Sequence, residues 1–394
     1  MSLPPTAPDA DIELLREEGF DVEIRGAYLL IRDLPYVNQA CEVRRGILIS
    51  SLERNEVGKP STHVAYWTGE HPCHHNGVRI NAFSNASPPQ ALGEGIQADF
   101  TFSAKADYRD FHHKMTTYIA RIEGEARVIA AEVVARTFPV RMPDPEEAIF
   151  KYTDWASARA RIGSYNEKLA HLRIGIAGIG GTGTYILDFL AKSRVKEIHL
   201  FDGDRYKQHN AFRAPGATSI ESLLGAPPKV LHWSAVYGVM RHGLVPHQQF
   251  LEIENVSDLA GLDFVFLCMD TGKVKRQVVA FLEAQGTPFI EVGMGLLRSE
   301  EGLTGLVRVV TSTPETREAA RAHMSFSEDE QENEYSTNIQ IAELNGLCAA
   351  LAVIRFKKLF AFYADSAHAY YEGYSVRSGE LVKEGPDAQG NERP

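Results

Sequence analysis

The sequence is short of the features that mark secreted, membrane and metal-stabilised proteins. Its four cysteines are scattered and form no C-x-x-C pair: Cys41, Cys73, Cys268 and Cys348. This scatter argues against a disulfide framework and against a four-cysteine zinc site. No uninterrupted apolar run approaches the roughly 20 residues of a membrane-spanning helix. The first residues carry prolines and acids where a signal peptide has basic and apolar segments. We therefore expect a cytoplasmic protein without a membrane partner.

An excess of basic residues is also missing. The formal net charge is −11 and the sequence pI is about 5.7. A chain of this charge repels phosphate backbones, so we expect no nucleic-acid partner. The remaining composition, 44% hydrophobic and 24% charged, is that of a globular protein. At 394 residues it is long enough for two domains, each with its own core.

A proline-rich and charged stretch at 137–148, TFPVRMPDPEEA, indicates a linker. The pattern before it predicts a smaller α+β domain at 1–145. The strand-like and helical segments of this domain are Tyr28–Arg32, Gly46–Ser50, His63–Trp67, Ala98–Phe102 and Tyr108–Ile129. The polar tail at 384–394 is expected to be disordered.

Over residues 150–380, continuous apolar strands alternate with helical segments. The predicted strands include LRIGIA, EIHLFD, FLEIE, DFVFLCM and PFIEVG. Such strands, separated by helices, indicate a parallel sheet that is covered on both faces. We therefore predict an α/β protein whose larger domain is Rossmann-like, with a mixed, mostly parallel sheet.

A glycine-rich turn follows the first of these strands and opens a helix. Its glycines are Gly178, Gly180, Gly181 and Gly183. Glycine lets the backbone approach a phosphate, and a helix N-terminus offers free N–H groups to an anion. Asp202 ends the next strand, about where a ribose-binding carboxylate is expected. The turn predicts a nucleotide site, but by itself it does not separate a dinucleotide from ATP.

A second set of polar residues bears on this choice. Asp204, Asn210 and Arg213 follow the strand EIHLF, Lys229 opens a helix, and Asp270 follows a later strand. A hydride-transfer enzyme has no need of them. An enzyme that breaks an α–β phosphate bond needs cations on the triphosphate and an acid for Mg²⁺. The set favours ATP and Mg²⁺ as ligands, and an NAD-dependent oxidoreductase is the alternative.

The segments GIGGTG, DGD, NAFR, PPK and CMD occur in this order. In this respect residues 160–375 resemble the ThiF/MoeB/ubiquitin-activating family of adenylating enzymes. The resemblance implies that Arg213, Lys229 and Asp270 are catalytic and that Asp270 coordinates Mg²⁺. It also implies that the nucleotide is held by the four loop glycines together with Asp202, Asp204, Asn210, Arg213 and Lys229.

The resemblance further implies a reaction and its partners. A homodimer would adenylate the C-terminal carboxylate of a ubiquitin-like or sulfur-carrier protein, and a conjugating enzyme is a candidate downstream partner. Family members that pass the activated protein onward usually carry a cysteine in a crossover region, here 301–337. This region contains no cysteine, which puts thioester formation in doubt but leaves adenylation untouched. A non-catalytic, partner-binding scaffold with the same fold is the remaining alternative.

The densest cluster outside this region is HPCHH at 71–75. A metal site through His71, Cys73 and His75 would require a distant fourth ligand. Ordinary exposed loop residues are the simpler interpretation. The surrounding V-x-Y-W-T-x-x-H-P and N-G resemble ubiquitin-conjugating enzymes, with the usual cysteine position near Ile80. That resemblance implies either an inactive domain or one whose nucleophile is Cys73.

Overall fold

The computed structural model describes residues 10–85, 87–140, 148–160, 162–269, 272–326 and 339–386. The chain divides into two compact units. The first comprises Met1–Arg141 with Asp154–Arg161, and the second comprises Met142–Thr153 with Ile162–Pro394. Each unit has a hydrophobic core of its own. The middle of the predicted linker, 141–147, and the end of the predicted tail, 387–394, lie outside the described residues.

The first unit is built on an antiparallel sheet, as expected for a separate α+β domain. Its strands are β1 (Asp21–Arg25), β2 (Tyr28–Val37), β3 (Val43–Ser51), β4 (Val64–Thr68), β5 (Ser84–Asn85), β6 (Gln90–Gly93), β7 (Ile96–Ala98) and β8 (Phe100–Ser103). The main sheet has the order β1-β2-β3-β4-β8-β5, and β6 pairs with β7. The helices are α1 (Ala10–Glu17), α2 (Phe111–Ile129) and α3 (Trp155–Ala160), with a 3₁₀ turn at Asn81–Phe83.

Helix α2 provides most of the apolar cover of this sheet. It begins after Asp110, whose side chain accepts a hydrogen bond from the backbone N–H of His113 and so caps the helix. Its buried apolar residues recur at helical spacing and pack with the strands: Phe111, Met115, Tyr118, Ile119 and Ile122.

The second unit contains a sheet of eight strands in the described residues. They are β9 (Arg173–Ala177), β10 (Glu197–Phe201), β11 (Leu244–His247), β12 (Phe264–Leu267), β13 (Phe289–Ser299), β14 (Gly302–Ser312), β15 (Tyr371–Ser375) and β16 (Leu381–Glu384). Their order is β11-β10-β9-β12-β13-β14-β15-β16. The pairs from β11 to β13 are parallel, and those from β13 to β16 are antiparallel. The predicted Rossmann-like fold with a mixed, mostly parallel sheet is confirmed.

Helices cover both faces of this sheet. They are α4 (Gly163–Glu167), α5 (Gly181–Ala191), α6 (Gln208–Ala211), α7 (Ile220–Gly225), α8 (Lys229–Gly238), α9 (Gly272–Gln285), α10 (Arg317–Arg321) and α11 (Ala342–Leu359). Helices α5, α8 and α11 share one core with the sheet, and α9 and α10 share the core of the other face. Among the described residues, no helix has both the length and the apolar character needed to cross a bilayer.

One strand prediction in this unit was wrong. The segment FLEIE at 250–254 is not a strand, because the third parallel strand is Leu244–His247 and a 3₁₀ helix follows at Ile253–Leu259. The strand was missed because it contains Pro246, which a sheet tolerates at its edge. The first part of the predicted crossover region, 301–337, forms β14. Residues 327–337 of that region lie outside the described residues.

Lys114 of α2 is buried in the core of the first unit. Its Nζ donates to Oγ of Ser50 at 2.8 Å and to the carbonyl oxygens of Thr62 and Val64 at 2.9 and 2.7 Å. None of these acceptors carries a charge. Burial away from water therefore disfavours the ammonium form and lowers the pKa of Lys114 to about 8.

We predict that Lys114 titrates near pH 8, which can be followed as a lysine Cε signal in carbon-13 NMR. The signal should be missing in Lys114→Met. Between pH 8 and the ordinary lysine value of 10.5, the unfolded chain binds more protons than the folded one. This group therefore makes the free energy of unfolding rise with pH in that window. A spectrum in which every lysine titrates together would contradict the prediction.

Candidate functional site

A cavity of about 490 Å³ opens at the carboxyl ends of β9, β10 and β12 in the second unit. The strand order changes direction there, because β10 lies on one side of β9 and β12 lies on the other. Open α/β sheets bind their ligands at such a point, and the volume is in the range of small-molecule sites. Seven of the predicted residues line the cavity: Gly178, Gly180, Gly181, Asp202, Asp204, Arg213 and Lys229.

The glycine loop forms one wall of the cavity. Gly178 has a φ of +94°, and a Cβ atom there would lie 2.6 Å from the carbonyl oxygen of Cys268. A Cβ atom at Gly183 would collide with the carbonyl oxygen of Gly178. At Gly180 nothing lies within 4 Å of the Cβ position. The loop brings bare backbone to the cavity and leads into α5, whose N-terminal N–H groups suit an anion.

The carboxylate of Asp202 joins three parts of the site. Its Oδ2 accepts a hydrogen bond from the N–H of Ile179 in the glycine loop at 2.8 Å, and its Oδ1 accepts one from the N–H of Asp204 at 2.8 Å. Nζ of Lys229 lies 3.3 and 3.5 Å from the two oxygens. A carboxylate that is only 8% exposed needs such partners, because an unpaired charge is costly away from water. Its role toward a ribose stays a prediction.

Lys229 begins α8 and is nearly buried. Its Nζ also donates to Oδ2 of Asp204 at 2.9 Å, and its backbone N–H donates to the carbonyl oxygen of Asp204 at 2.9 Å. The hydrogen bond from Lys229 lowers the pKa of the Asp204 carboxyl below its ordinary value. Both acids of D-G-D thus hold one ammonium group at the cavity wall, and this group is oriented before any ligand enters.

Arg213 reaches the cavity from the turn after α6, and Asn345 of α11 supports that turn. Nδ2 of Asn345 donates to the carbonyl oxygen of Arg213 at 3.4 Å, and its Oδ1 accepts a hydrogen bond from Oγ1 of Thr182 at 2.8 Å. Asn345 is fully buried, so it ties the arginine turn to the glycine loop. Asn345 was not among the predicted site residues, although it is recognisable in the sequence as a lone amide in the apolar helix IAELNGLCAALAVI.

Two of the predicted residues lie away from this cavity wall, and a third lies outside the described residues. Gly183 packs against the backbone of the glycine loop. Asn210 is buried, and its Oδ1 accepts a hydrogen bond from the N–H of Lys207 at 2.8 Å, where α6 begins. Asp270 lies outside the described residues, directly after Met269, which lines the cavity. The proposed roles of Asn210 toward phosphate and of Asp270 toward Mg²⁺ stay predictions.

Further walls come from segments to which the sequence assigned no role. Phe250, Leu251 and Glu252 line the cavity from the segment that was predicted as a strand, and Val292–Met294 line it from β13. The Phe250 ring lies against Gly203, where a Cβ atom would come within 2.6 Å of it. Gly203, between the two acids of D-G-D, thus leaves room for the aromatic ring, and it was the only local hint of this contact in the sequence.

The histidine-rich segment of the first unit is not an ordinary exposed loop. His71 and Cys73 are both buried. The Nε2 atom of His71 lies 2.7 Å from Oγ of Ser84, and Sγ of Cys73 donates to the carbonyl oxygen of His71 at 3.4 Å. Burial raises the pKa of the Cys73 thiol, which opposes thiolate formation. The function of Cys73 as a nucleophile stays a prediction, and its surroundings count against it.

The next two histidines share one carboxylate. The Nδ1 atoms of His74 and His75 lie 2.7 and 2.9 Å from the two oxygens of Glu125. Burial raises the pKa of Glu125, but the hydrogen bonds from both histidines outweigh it and bring the pKa to about 2. Within the described ranges, no three or more His, Cys, Asp or Glu side chains are grouped so that they could hold a metal ion. The metal-site interpretation thus finds no support there.

Two family profiles match the chain. The ThiF family matches residues 156–384, and a domain of unknown function (DUF6791) matches residues 10–155. The ThiF match covers more than half of the chain. Among curated proteins, none matches this sequence.

Solved structures similar to this chain include PaaA and E. coli MccB. Selenomethionine PaaA is 15% identical with a TM-score of 0.46, and the match covers 68% of this chain and 85% of PaaA. MccB with AMPCPP and MccA is 16% identical with a TM-score of 0.47, and the match covers 59% of this chain and 70% of MccB. For MccB with ATP, the identity is 14% and the TM-score 0.43, with 56% of this chain and 65% of MccB covered.

The two glycines Gly183 and Gly180 offer a matched test of the loop. We predict that Gly183→Ala lowers the melting temperature by several degrees, because the methyl group would collide with the backbone of Gly178 and such overpacking costs about 1–3 kcal/mol. Gly180→Ala meets no atom within 4 Å and should melt like the unaltered protein. The comparison is made by differential scanning fluorimetry. Equal melting temperatures for both variants would be inconsistent with this packing.

Proposed function

Since the chain belongs to the ThiF family of adenylating enzymes, we propose that it uses ATP and Mg²⁺ to adenylate the C-terminal carboxylate of a ubiquitin-like or sulfur-carrier protein. The observation that carries this proposal is the cavity in which the glycine loop, Asp202, Arg213 and Lys229 come together. These residues supply the bare backbone, the helix N-terminus and the two cations that a triphosphate needs.

In the proposed reaction, a carboxylate oxygen of the substrate attacks the α-phosphorus of ATP. A new oxygen–phosphorus bond forms while the bond to the bridging oxygen breaks, and pyrophosphate leaves with that oxygen and its electron pair. Arg213 and Lys229 stabilise the negative charge that develops on the phosphate oxygens. When bound, Mg²⁺ would screen the triphosphate from the incoming carboxylate, and Asp270 is the residue to which we assign it.

No nucleophile of the enzyme is needed for this reaction. A thioester at Cys73 is not part of the proposal, because Cys73 is buried and burial raises the pKa of its thiol. A conjugating enzyme that receives the activated carrier would then act on the adenylate. The first unit, with its conjugating-like sequence pattern, would bind protein partners without forming a covalent bond to them.

We also propose that the enzyme is a homodimer, and a set of exposed apolar side chains supports this. They lie close to Arg213 along the chain, in the turn after α6, in α7, in α8 and directly after α8: Phe212, Ile220, Leu224, Leu231 and Val239. In α8, the opposite face is also apolar and packs into the core. A helix that is apolar on both faces is typical of a buried position, and exposed apolar clusters mark protein interfaces.

The catalytic assignment is tested by ATP–pyrophosphate exchange with a ubiquitin-like or sulfur-carrier protein as substrate. We predict that Asp270→Ala abolishes exchange and that Arg213→Ala and Lys229→Ala each lower it by about 100-fold, the scale of one lost transition-state contact. Lys192→Ala is the matched control, because Lys192 pairs with Asp188 at the protein surface. Full exchange activity in Asp270→Ala would contradict the catalytic assignment.

Nucleotide binding to the unaltered protein separates the alternatives. Calorimetric binding of ATP with Mg²⁺, and none of NAD, supports the adenylating enzyme. Binding of NAD in place of ATP selects the oxidoreductase. A protein that binds neither nucleotide is the scaffold.

The dimer is tested by light scattering at micromolar concentration. We predict a dimeric unaltered protein and a monomeric Leu224→Glu variant, because Leu224 is 82% exposed in the monomer and a charge there would be buried in the interface. Val57→Glu is the control, since Val57 is an exposed residue of the first unit. A monomeric unaltered protein would contradict the proposed dimer.

A further inference from the structure

The hairpin of β13 and β14 presents an open surface beside the cavity. Alternate residues of a strand point to the same face, together with their cross-strand partners. One of the two faces carries the pairs Glu291–Val310, Gly293–Arg308, Gly295–Leu306 and Leu297–Thr304. We call it the glycine face. Its inner end lies in the core under α9, to which Val310 belongs, whereas Leu297 and Leu306 at its outer end are exposed.

Two glycines lie in the middle of the glycine face: Gly295 leaves it open, whereas the Arg308 guanidinium lies against Gly293. Gly293 lines the cavity, and at Gly295 nothing lies within 4 Å of the Cβ position. Among the described residues, the face is therefore open from the exposed leucines to Gly295, and the Arg308 side chain covers the next position, Gly293, at the cavity wall. An extended polypeptide could lie along such a surface, with apolar contacts at its outer end and its terminus at the cavity.

A cluster with an excess positive charge lies along this face. The buried carboxylate of Glu291 accepts hydrogen bonds from Nζ of Lys275 at 2.6 Å and from Nη2 and Nε of Arg308 at 2.8 and 3.3 Å. The other acceptor of Lys275 is the neutral carbonyl oxygen of Ser325 at 3.3 Å. Among the residues that the structure describes, two cations thus share one anion. Because charges at low dielectric interact strongly, a second anion near this cluster would be stabilised.

Arg308 is the member of the cluster that can reach such an anion. Its side chain is 24% exposed, whereas those of Lys275 and Glu291 are 5% and 0% exposed. In the part of the chain that the structure describes, Nη1 of Arg308 makes no hydrogen bond. The guanidinium is next to Gly293, since a Cβ atom there would lie 2.8 Å from its Cζ atom. Nη1 of Arg308 is therefore a donor available to a ligand. It belongs to β14, which pairs with the strand β13 that lines the cavity.

We propose that Arg308 recognises a carboxylate side chain in the C-terminal tail of the substrate, so that the preferred substrate carries Asp or Glu a few residues before the carboxylate that is adenylated. This inference rests on the proposed function and names a feature of its substrate. An extended chain advances about 3.3 Å per residue, and Gly293 itself lines the cavity. A substrate side chain that contacts Arg308 would thus be only a few residues before the C-terminal carboxylate in the cavity.

The test uses fluorescein-labelled decapeptides with a free C-terminal carboxylate and an otherwise neutral sequence. One glutamate is placed in turn at each of the five positions before the last residue, and each peptide has a glutamine counterpart. Binding to the full chain is measured by fluorescence anisotropy in the presence of AMPCPP. At one position the glutamate peptide should bind on the order of tenfold more tightly than its counterpart, the scale of one charge-assisted hydrogen bond.

In Arg308→Gln this ratio should fall to about one. Arg298→Gln is the matched control and should keep the ratio, because Arg298 is exposed on β13, the other strand of the hairpin, and alternates to the face opposite the glycine face. Arg308→Lys, which keeps a cation opposite Glu291 but cannot form the two-pronged contact, should give an intermediate ratio. If Arg308→Gln does not fold, the ratio measured for Arg308→Lys decides the test.

Several outcomes would overturn this inference. They are an unaltered protein that binds no peptide of the series, one that shows no preference for glutamate at any position, and a preference that survives in both Arg308 variants. AMPCPP binding is measured separately on the same samples. Loss of AMPCPP binding by the unaltered protein counts against the proposed function, whereas AMPCPP binding without an Arg308-dependent preference counts against this inference alone.

Discussion

The ion pair between Asp202 and Lys229 is the interaction on which the candidate site depends. Asp202 stands where β10 ends, and its carboxylate also accepts the N–H of Ile179 from the glycine loop. Lys229 stands where α8 begins and is held by Asp204 as well. Three separate segments of the chain are thus fixed around one nearly buried carboxylate. Removal of Asp202 would leave a buried ammonium group without one of its two partners and the loop without its anchor, so its structural and its proposed nucleotide-binding roles are inseparable.

The sequence predicted those parts of the site that a local pattern determines. A glycine-rich turn between a strand and a helix has few alternatives, because the contacts at Gly178 and Gly183 exclude any side chain. Asp202, Arg213 and Lys229 follow at characteristic places, and all of them line the cavity. Local order along the chain was sufficient for these residues, since each of them lies at the end or the start of a strand, turn or helix next to the same sheet edge.

The parts that the sequence did not predict depend on contacts between distant segments. Asn345 supports the glycine loop and the Arg213 turn from a helix at the other end of the domain, and its own neighbours in sequence are apolar. Phe250 reaches the cavity from a segment in which apolar and polar residues alternate as in a strand. This segment is not a strand, because the proline-containing β11 forms the edge of the sheet.

The charges around the cavity explain why this site would require a metal ion with its nucleotide. Its described lining carries three carboxylates, on Asp202, Asp204 and Glu252, but only two cations, on Arg213 and Lys229. Lys229 is already paired with two of the acids. A triphosphate would therefore enter a wall with no surplus of positive side chains, and the N-terminus of α5 offers only partial charge. The proposed Mg²⁺ ion would supply the missing charge. Around Glu291, by contrast, the described residues include two cations, on Lys275 and Arg308, and one carboxylate. The positive charge therefore lies on the side of the glycine face, where the proposed substrate tail would bind without a metal ion.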